Sequence, residues 1–403
     1  MKLCFVTPRF PHPTTKGDKL RVYEALKHLS ARHDITLVAA TDEAVSPADY
    51  AAVARYCRRV ATVPIHRWQS LTALALRAPV SPLPLQTLFY SSAALQRSIR
   101  AVLASERFDV IHASLIRVLP YLWEVDDTPV VVDLVDALAR SIALQRRNAP
   151  PGIRFLYALE EERVRRYEHA ACARFPRLIV CAEADRLALG APSVSVIRTC
   201  VDLDDFPYRR EGRDDDVVVM SGNMGYQPNV EAAVWFAKTV WPRVRSARPG
   251  ARFRVVGTRP ARAVTALGGS DGIEVTGAVA DVGAELRRAT LSVCPLRGGS
   301  GMQIKVLESM ASGTPIVATS FGNEGIGARD GQEITIADEP SAFAAAALGL
   351  LADPERRDRV AAAGRRFSET EFSWDSHAAR LEALYAEAIA GHNSGQRGGP
   401  SGS

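Results

Sequence analysis

The strongest constraint on the fold is an alternation that runs twice along the chain, in which short β-branched and other apolar runs are separated by longer amphipathic stretches. Parallel strands joined by crossover helices give this pattern, because a strand buried on both faces is apolar throughout and the next parallel strand needs a helix to reach it. We therefore predict an α/β fold with two doubly wound parallel sheets. A chain of 403 residues is long enough for each sheet to have its own core.

The apolar runs give the predicted elements. Strands are predicted in the first half at 3–7, 35–39, 60–64, 110–112, 130–134, 178–181 and 194–197, and in the second half at 217–220, 253–256, 273–276, 291–295, 315–319 and 333–336. The spacing after the last run predicts three successive helices, over 341–351, 354–367 and 374–389.

A charged stretch between Asp202 and Asp216 breaks the apolar periodicity, so we place the domain boundary there. The first domain is predicted over 1–203 and the second over 204–370. The last helix, within 371–391, can pack back on the first domain. The tail, 391–403, is rich in Gly and Ser and is predicted to be disordered.

Charge and cysteine usage narrow the function classes. The net charge of +5 is small for this length and indicates no nucleic-acid partner, although it suits anionic ligands. The six cysteines form no C-x-x-C motif, and the apolar run near the N-terminus is too short for a signal peptide. We expect a cytoplasmic protein.

The segment 295–315 is the most informative of the chain. It has the order strand, glycine-rich loop, helix, glycine, strand. Glycines 298, 299 and 301 let backbone N–H groups approach a ligand closely, and a helix that begins at Gly301 turns its positive end to the same place. These features predict an anion site that suits a diphosphate.

The helix after this loop has a polar or small face, made by Gly301, Lys305, Glu308 and Ser312, which recur at intervals of three or four. We predict that this face lines a ligand cleft, with Lys305 neutralising phosphate and Glu308 accepting hydrogen bonds from two ribose hydroxyls. The alternative is that Ser300 and Gln303 form a capping box and that Lys305 and Glu308 are a solvated helical pair.

These motifs resemble the donor-site signature of the family 4 retaining glycosyltransferases of GT-B fold, the glycosyl transferases group 1, and especially the sugar transferases found beside exopolysaccharide genes. The resemblance is carried by G-S-G-M-Q-I-K-V-L-E-S-M-A-S-G-T-P-I-V-A-T at 299–319, G-N-E-G-I at 322–326, S-G-N-M-G-Y-Q-P-N at 221–229, V-V-G at 255–257 and V-T-G-A-V-A-D at 275–281. It implies two Rossmann-like domains that face each other across a cleft.

The resemblance also implies a chemistry, which is hexosyltransferase-type transfer from a UDP- or GDP-sugar to a hydroxyl acceptor, with retained anomeric configuration and without a metal. The acceptor can be a saccharide, a lipid-linked sugar or a small molecule, and no resident cofactor is expected. Two alternatives stay open: a non-hydrolysing nucleotide-sugar epimerase, and a degenerate protein that binds a nucleotide-sugar without turnover.

By this resemblance Glu308 holds the ribose, the backbone at Gly301 and Met302 receives the diphosphate, and Gly277 to Val279 lie beside the base. The whole implied donor site comprises Gly222, Asn223, Gly277, Val279, Arg297, Ser300, Gly301, Met302, Gln303, Lys305 and Glu308. Two departures from the family fall in this donor site: Ser300 replaces a glutamate that touches the sugar, and Asn223 with its uncharged neighbours replaces a basic pair. Lys305 or Arg297 then supplies the positive charge.

Two first-domain residues complete the predicted site. Gly17 matches the family's glycine after the first strand, where a loop approaches the donor phosphate; its alternative role is an ordinary helix start, with Asp18 complementing the helix dipole. Asp136 follows a strand and matches a position where family members often have a histidine, so it is predicted to position the acceptor hydroxyl or accept its proton. The alternative for Asp136 is a cap for the helix that follows.

The leucine-rich segment from Trp68 to Tyr90 allows two interpretations. We favour internal packing, because the basic face of an interfacial helix is sparse here. The alternative is contact with a lipid-linked acceptor or with the inner face of a membrane, which would make the protein peripheral.

Overall fold

The computed structural model describes residues 1–299 and 302–397 and divides the chain into two compact units. One unit comprises Met1–Arg198 together with the chain from Trp374 onward, and the other comprises Thr199–Ser373. The sequence placed the boundaries at 203/204 and 370/371, a few residues from these. The last helix belongs to the first unit.

In the first unit, seven strands form one parallel sheet in the order β3-β2-β1-β4-β5-β6-β7. The strands are β1 (Lys2–Thr7), β2 (Asp34–Thr41), β3 (Arg59–Pro64), β4 (Val110–Ser114), β5 (Val130–Val135), β6 (Arg177–Val180) and β7 (Val194–Val196). The helices are α1 (Gly17–Leu29), α2 (Pro47–Ala54), α3 (Arg67–Arg77), α4 (Leu85–Phe89), α5 (Ala93–Ser105), α6 (Leu138–Asn148), α7 (Pro151–Arg174), α8 (Glu183–Leu189) and α17 (Trp374–Arg397), with a 3₁₀ turn at Ile116–Tyr121.

In the second unit, six strands form a parallel sheet in the order β10-β9-β8-β11-β12-β13. The strands are β8 (Val217–Ser221), β9 (Arg252–Val256), β10 (Ile273–Gly277), β11 (Leu291–Cys294), β12 (Ile316–Ala318) and β13 (Thr335–Ile336). The helices are α9 (Gln227–Trp235), α10 (Trp241–Ala247), α11 (Arg262–Thr265), α12 (Val282–Arg288), α13 (Ile304–Ala311), α14 (Ser320–Asn323), α15 (Pro340–Ala352) and α16 (Pro354–Glu371), with a π-helical turn at Phe236–Val240.

The predicted fold class is confirmed. Every strand of both sheets overlaps an apolar run identified in the sequence, and three helices follow β13 as expected, although the last runs to Arg397 and so passes both its predicted end at 389 and the start of the tail predicted to be disordered. Each sheet is doubly wound, so the chain reverses its winding direction between β1 and β4 and again between β8 and β11. Ligands of such sheets bind at these reversal points, outside the carboxyl ends of the strands.

The core of the first unit fills both faces of its sheet, because successive side chains of a strand point to opposite faces. Along β1, Cys4 and Val6 join one buried cluster while Leu3 and Phe5 join another. The second cluster also contains Tyr385 and other apolar residues of α17, which explains why the last helix belongs to this unit.

A buried polar network crosses that same unit. Arg21 Nε of α1 donates to Asp133 Oδ2 of β5 at 2.5 Å. His112 of β4 lies with its Nε2 3.9 Å from that oxygen, and its Nδ1 is 2.8 Å from the hydroxyl of Tyr385. Burial lowers the pKa of His112 to about 4, so the imidazole is neutral at physiological pH.

The first part of the segment from Trp68 to Tyr90 is exposed and its second part is buried. Internal packing was favoured for this segment, but Trp68, Leu76 and Val80 are 81%, 80% and 84% exposed. Packing holds only for its second part, where Leu88 and Tyr90 are buried. The physical reason is that Ser70, and not the tryptophan, lies on the buried side of α3. Within 1–299 and 302–397, no helix is long and apolar enough to cross a membrane.

Candidate functional site

The winding reversal of the second sheet brings two of the predicted site segments together. Gly222 and Asn223 follow β8 directly, and the loop that contains Arg297 follows β11, the neighbouring strand. Since parallel strands end at the same edge of a sheet, both loops lie at the position where doubly wound sheets bind ligands.

Two glycines fix the backbone at this edge. A Cβ atom on Gly257 would lie 1.6 Å from the carbonyl oxygen of Gly222, so only glycine permits this approach between the loops after β8 and β9. The N–H of Gly257 donates to the carbonyl of Gly277 at 3.0 Å, which ties in the end of β10. Gly222, Gly257 and Gly277 thus join the loops after β8, β9 and β10, and we call these three residues the glycine floor.

Helix α13 begins at Ile304, three residues later than the predicted start at Gly301. Gln303 occupies the N-cap position, and its carbonyl accepts a hydrogen bond from the Val306 N–H at 2.9 Å. Met302 packs against Gly325, where a Cβ would come within 3.0 Å of it. Ser300 and Gly301 lie outside the described residues, so the roles predicted for them stay predictions.

Lys305 is held inside the site by a residue to which the sequence patterns assigned no role. Its Nζ donates to Asn229 Oδ1 at 2.5 Å, and Asn229 Nδ2 donates to the Asn223 carbonyl at 2.9 Å. A Cβ on Gly222 would also approach the Lys305 side chain, at 3.5 Å. The structure therefore brings together Gly222, Asn223 and Lys305 through Asn229.

Asn229 is only 4% exposed, although it lies in the first turn of α9. The sequence signal that could have identified it is a polar residue at a position that helical spacing assigns to the buried face of that helix, beside Val230 and Ala233. Its partner Lys305 lies 76 residues away in sequence.

Glu308 lies one turn after Lys305 and is also half-buried. Burial raises the pKa of Glu308 to about 7, and the nearby Lys305 ammonium partly offsets this. Burial likewise lowers the pKa of Lys305, against the opposing effect of Cys294 and Glu308. Both side chains are thus partly shielded from water. Ser312, which we expected on the same face, is instead fully buried at the end of α13.

Three further predicted residues of the second unit, Arg297, Gly277 and Val279, differ in what they contact. The guanidinium of Arg297 lies over the ring of Trp235, 5.4 Å from its centroid. Gly277 has a backbone φ of +70°, and nothing lies within 4 Å of its open side. Val279 packs partly into an apolar cluster with Phe206, so part of its side chain is structural.

In the first unit, Gly17 is the first residue of α1 and lies beside a set of charged groups. Arg9 pairs with Asp18 at 2.7 Å and donates to the Tyr90 hydroxyl at 3.2 Å. The guanidinium of Arg117 lies 5.0 Å from the centroid of the same tyrosine ring. Asp18 therefore has an arginine partner in addition to its position at the helix N-terminus.

Asp136 follows β5 and is half-buried. The preceding Val135 has a φ of +70°, a conformation that costs a β-branched residue free energy and that clusters at functional sites. The first amide of α6 is capped from elsewhere, because the Glu168 carboxylate accepts from Leu138 N at 2.7 Å. Burial raises the pKa of Glu168 to about 8, and Asp136 adds to that increase.

The match to a known protein family lies in the second unit. Residues 215–353 match the model of the family described as glycosyl transferases group 1. The match covers β8 to α15 and contains the Lys305 and Glu308 site. Over these residues the second unit is similar to the group 1 glycosyl transferases.

A curated relative of the chain is a D-inositol 3-phosphate glycosyltransferase of Thermobispora bispora. It is 36% identical over 105 residues, which are 26% of this chain and 24% of the relative. The aligned region thus spans about a quarter of the relative's length.

Solved structures extend the likeness to both units. The chain is similar to a sucrose-phosphate synthase from Thermosynechococcus elongatus, with a TM-score of 0.73, 16% identity and coverage of 97% of this chain and 100% of the other. It is also similar to Anabaena HepE in complex with UDP and glucose, with a TM-score of 0.68, 15% identity and coverage of 96% and 100%. The fold is GT-B.

Proposed function

We propose that the protein is a glycosyltransferase that moves a sugar from a nucleoside-diphosphate sugar to a hydroxyl acceptor. The observation that supports this most directly is the Lys305–Asn229 contact at the winding reversal of the second sheet, inside the segment that matches the group 1 family. The structure of HepE with UDP and glucose supports a UDP-linked donor, with a GDP-linked donor as the alternative.

The donor would bind along the glycine floor. The Lys305 ammonium would meet the diphosphate, and Glu308, one turn further along α13, would accept hydrogen bonds from the ribose hydroxyls. Arg297 lies beside the same loop and adds positive charge. A diphosphate leaving group gains negative charge as it departs, and a fixed cation in a poorly solvated space stabilises that charge more than water does.

In the transfer step, the bond between the anomeric carbon and the β-phosphate oxygen breaks and a bond to the acceptor oxygen forms. We propose that the anomeric configuration is retained and that no metal takes part. The nucleoside diphosphate leaves, and the acceptor gives up its hydroxyl proton. We assign the positioning of that hydroxyl, and acceptance of its proton, to Asp136 of the first unit.

The acceptor class that we propose is a saccharide, a lipid-linked sugar or a small molecule, in the biosynthesis of a polysaccharide, a glycolipid or a natural product. We also propose a cytoplasmic location with peripheral contact at the inner face of a membrane. The exposed first part of the segment that begins at Trp68 supports this contact, because apolar side chains there are open to solvent.

A panel of UDP-, GDP- and dTDP-sugars tests the donor assignment. The purified chain is expected to unfold at a higher temperature with at least one of them, because a ligand that binds only the folded state stabilises it. No shift with any member of the panel would contradict the assignment. A shift without glycoside product, across a broad range of acceptors, would instead indicate a protein that binds the donor without turnover.

A further inference from the structure

Helix α3 turns its more apolar face to solvent. Trp68, Leu71 and Leu76 lie on one side of the helix, at positions i, i+3 and i+8, and are 81%, 49% and 80% exposed. Ser70 lies on the opposite side and is buried. An ordinary surface helix buries its apolar side, so this reversed arrangement implies a partner.

The first half of α7 has the same property. Phe155, Leu156 and Leu159 recur at helical spacing and are 68%, 61% and 46% exposed. From Glu160 onward the helix changes character, because its acidic side chains begin there and pair with arginines along the helix, as Glu161 does with Arg165 at 2.5 Å. The exposed apolar face is thus confined to the start of α7.

The two faces belong to segments that touch. Arg163 of α7 donates from Nη2 to the carbonyl of Ala78, just after α3, at 2.7 Å. Glu160 of α7 accepts a hydrogen bond from the Leu85 N–H at the start of α4, at 2.7 Å. Val80, 84% exposed, lies between these two anchor points in sequence. We call the combined surface the α3–α7 surface and define it by Trp68, Leu76, Val80, Phe155, Leu156 and Leu159.

The charged residues within the segments that carry the α3–α7 surface, 67–80 and 151–159, are all arginines. The sequence has no Asp or Glu between Asp49 and Glu106, and none between Asp136 and Glu160, although arginines occur in both stretches. Arg77 and Arg154 are exposed and donate to neutral oxygens, the Ser91 hydroxyl at 3.2 Å and the Ala149 carbonyl at 2.8 Å. Their positive charge is therefore not cancelled by these contacts, and an anionic partner is favoured.

We infer that the α3–α7 surface docks on an anionic lipid bilayer. Apolar and aromatic side chains that project from helices and are bordered by arginines suit the boundary between lipid headgroups and acyl chains, where tryptophan is enriched. Acidic headgroups would place negative charge beside these positively charged arginines. This inference rests on the peripheral membrane contact proposed above and names the surface and the lipid class; it does not depend on the transfer reaction, since binding to lipid requires neither donor nor turnover.

Sedimentation of the full chain with lipid vesicles tests the inference. The protein is expected to bind vesicles that contain phosphatidylglycerol and to stay in solution with vesicles of phosphatidylcholine alone. The double variant Trp68→Ser and Leu76→Ser is expected to lower the partition coefficient about tenfold or more, because two large apolar side chains no longer enter the lipid. Phe155→Ser tests the α7 face in the same way.

Leu187→Ser is the matched control. Leu187 is 65% exposed on α8 of the same unit and lies outside the α3–α7 surface, so this variant is expected to bind as the wild type does. The double variant Arg77→Gln and Arg154→Gln is expected to bind more weakly and with less dependence on salt. Circular dichroism checks that each variant is folded.

Three results would overturn the inference. The first is no association of the wild-type chain with phosphatidylglycerol vesicles. The second is equal partitioning of the wild type and the Trp68, Leu76 and Phe155 variants. The third is a concentration-dependent dimer, detected by analytical ultracentrifugation, that the same variants dissociate, since the α3–α7 surface would then join two copies of the chain.

Discussion

The ammonium of Lys305 donates to the side-chain amide oxygen of Asn229 at 2.5 Å, so the cation of the candidate donor site is held by a neutral group. A carboxylate in this place would also accept from the ammonium, but it would cancel the charge of Lys305 and lose the hydrogen bond that Asn229 Nδ2 donates to the Asn223 carbonyl. An amide leaves the charge available to an anionic ligand. The positive charge of Lys305 at this site can be tested by substitution of Asn229.

Asn229→Asp is expected to weaken binding of the nucleoside diphosphate by about tenfold or more, because an ion pair would neutralise the cation that meets the phosphates. Binding of the corresponding nucleoside, which has no phosphate, is expected to change much less. Isothermal titration calorimetry measures both. Gln227→Glu is the control, since it adds the same charge to an exposed position of α9 that bonds to Glu231. Equal losses for nucleoside and nucleoside diphosphate would contradict the assignment of Lys305 to the phosphates.

Glu308 predicts a pH dependence of donor affinity. Burial raises the pKa of Glu308 to about 7. Only the ionised form has both carboxylate oxygens free to accept the two ribose hydrogen bonds, since a protonated carboxyl uses one oxygen as a donor. Affinity for a nucleotide-sugar, whose phosphates are both esterified, is therefore expected to fall below about pH 7, by up to about tenfold per pH unit. Glu308→Gln is expected to bind more weakly at pH 8 and to lack this dependence. If the Glu308→Gln variant kept the wild-type pH profile, Glu308 would have no place in the ribose site.

Gly257→Ala is expected to destabilise the second unit by about 3 kcal/mol or more, because the new methyl group would collide with the Gly222 carbonyl, 1.6 Å away. Donor binding should weaken with it, since Gly222 must move. Chemical unfolding measures the free energy of unfolding. Gly250→Ala is the matched control, because a methyl group at that position would have nothing within 4 Å of it. Similar stabilities of the two variants would show that the two loops can separate without cost.

The buried ion pair of Asp133 with Arg21 is expected to contribute to the stability of the first unit. Asp133→Ala is expected to lower the free energy of unfolding by about 3 to 5 kcal/mol, because it leaves the buried guanidinium of Arg21 without its carboxylate. Urea unfolding measures this loss. Changing both residues, Arg21→Met with Asp133→Leu, should cost much less than the single change. A single variant as stable as the wild type would show that the pair contributes nothing to the fold.

Much of the candidate site could be predicted because it is local in sequence. The apolar runs located every strand, since a parallel strand buried on both faces has to be apolar. The spacing of Lys305 and Glu308 placed them one turn apart on α13. The start of that helix was wrong, because glycines allow a helix to begin at Gly301 but do not require it.

The Lys305–Asn229 contact was not predictable, because it joins residues 76 positions apart and depends on the adjacency of β8 and β11. The expected packing of the segment after Trp68 failed for a related reason. Periodicity shows that α3 has an apolar side, but only the neighbouring elements decide which side they cover.

The sequence by itself determined the two doubly wound sheets, the glycine loops at their carboxyl edges and the identity of the charged residues near them, because strand burial and helical spacing are properties of short segments. The tertiary structure alone decided that Asn229 holds Lys305, that Asp133 is a buried partner of Arg21, and that Trp68 faces outward. Each of these depends on which distant segments meet, and that is fixed by the packing of the whole unit.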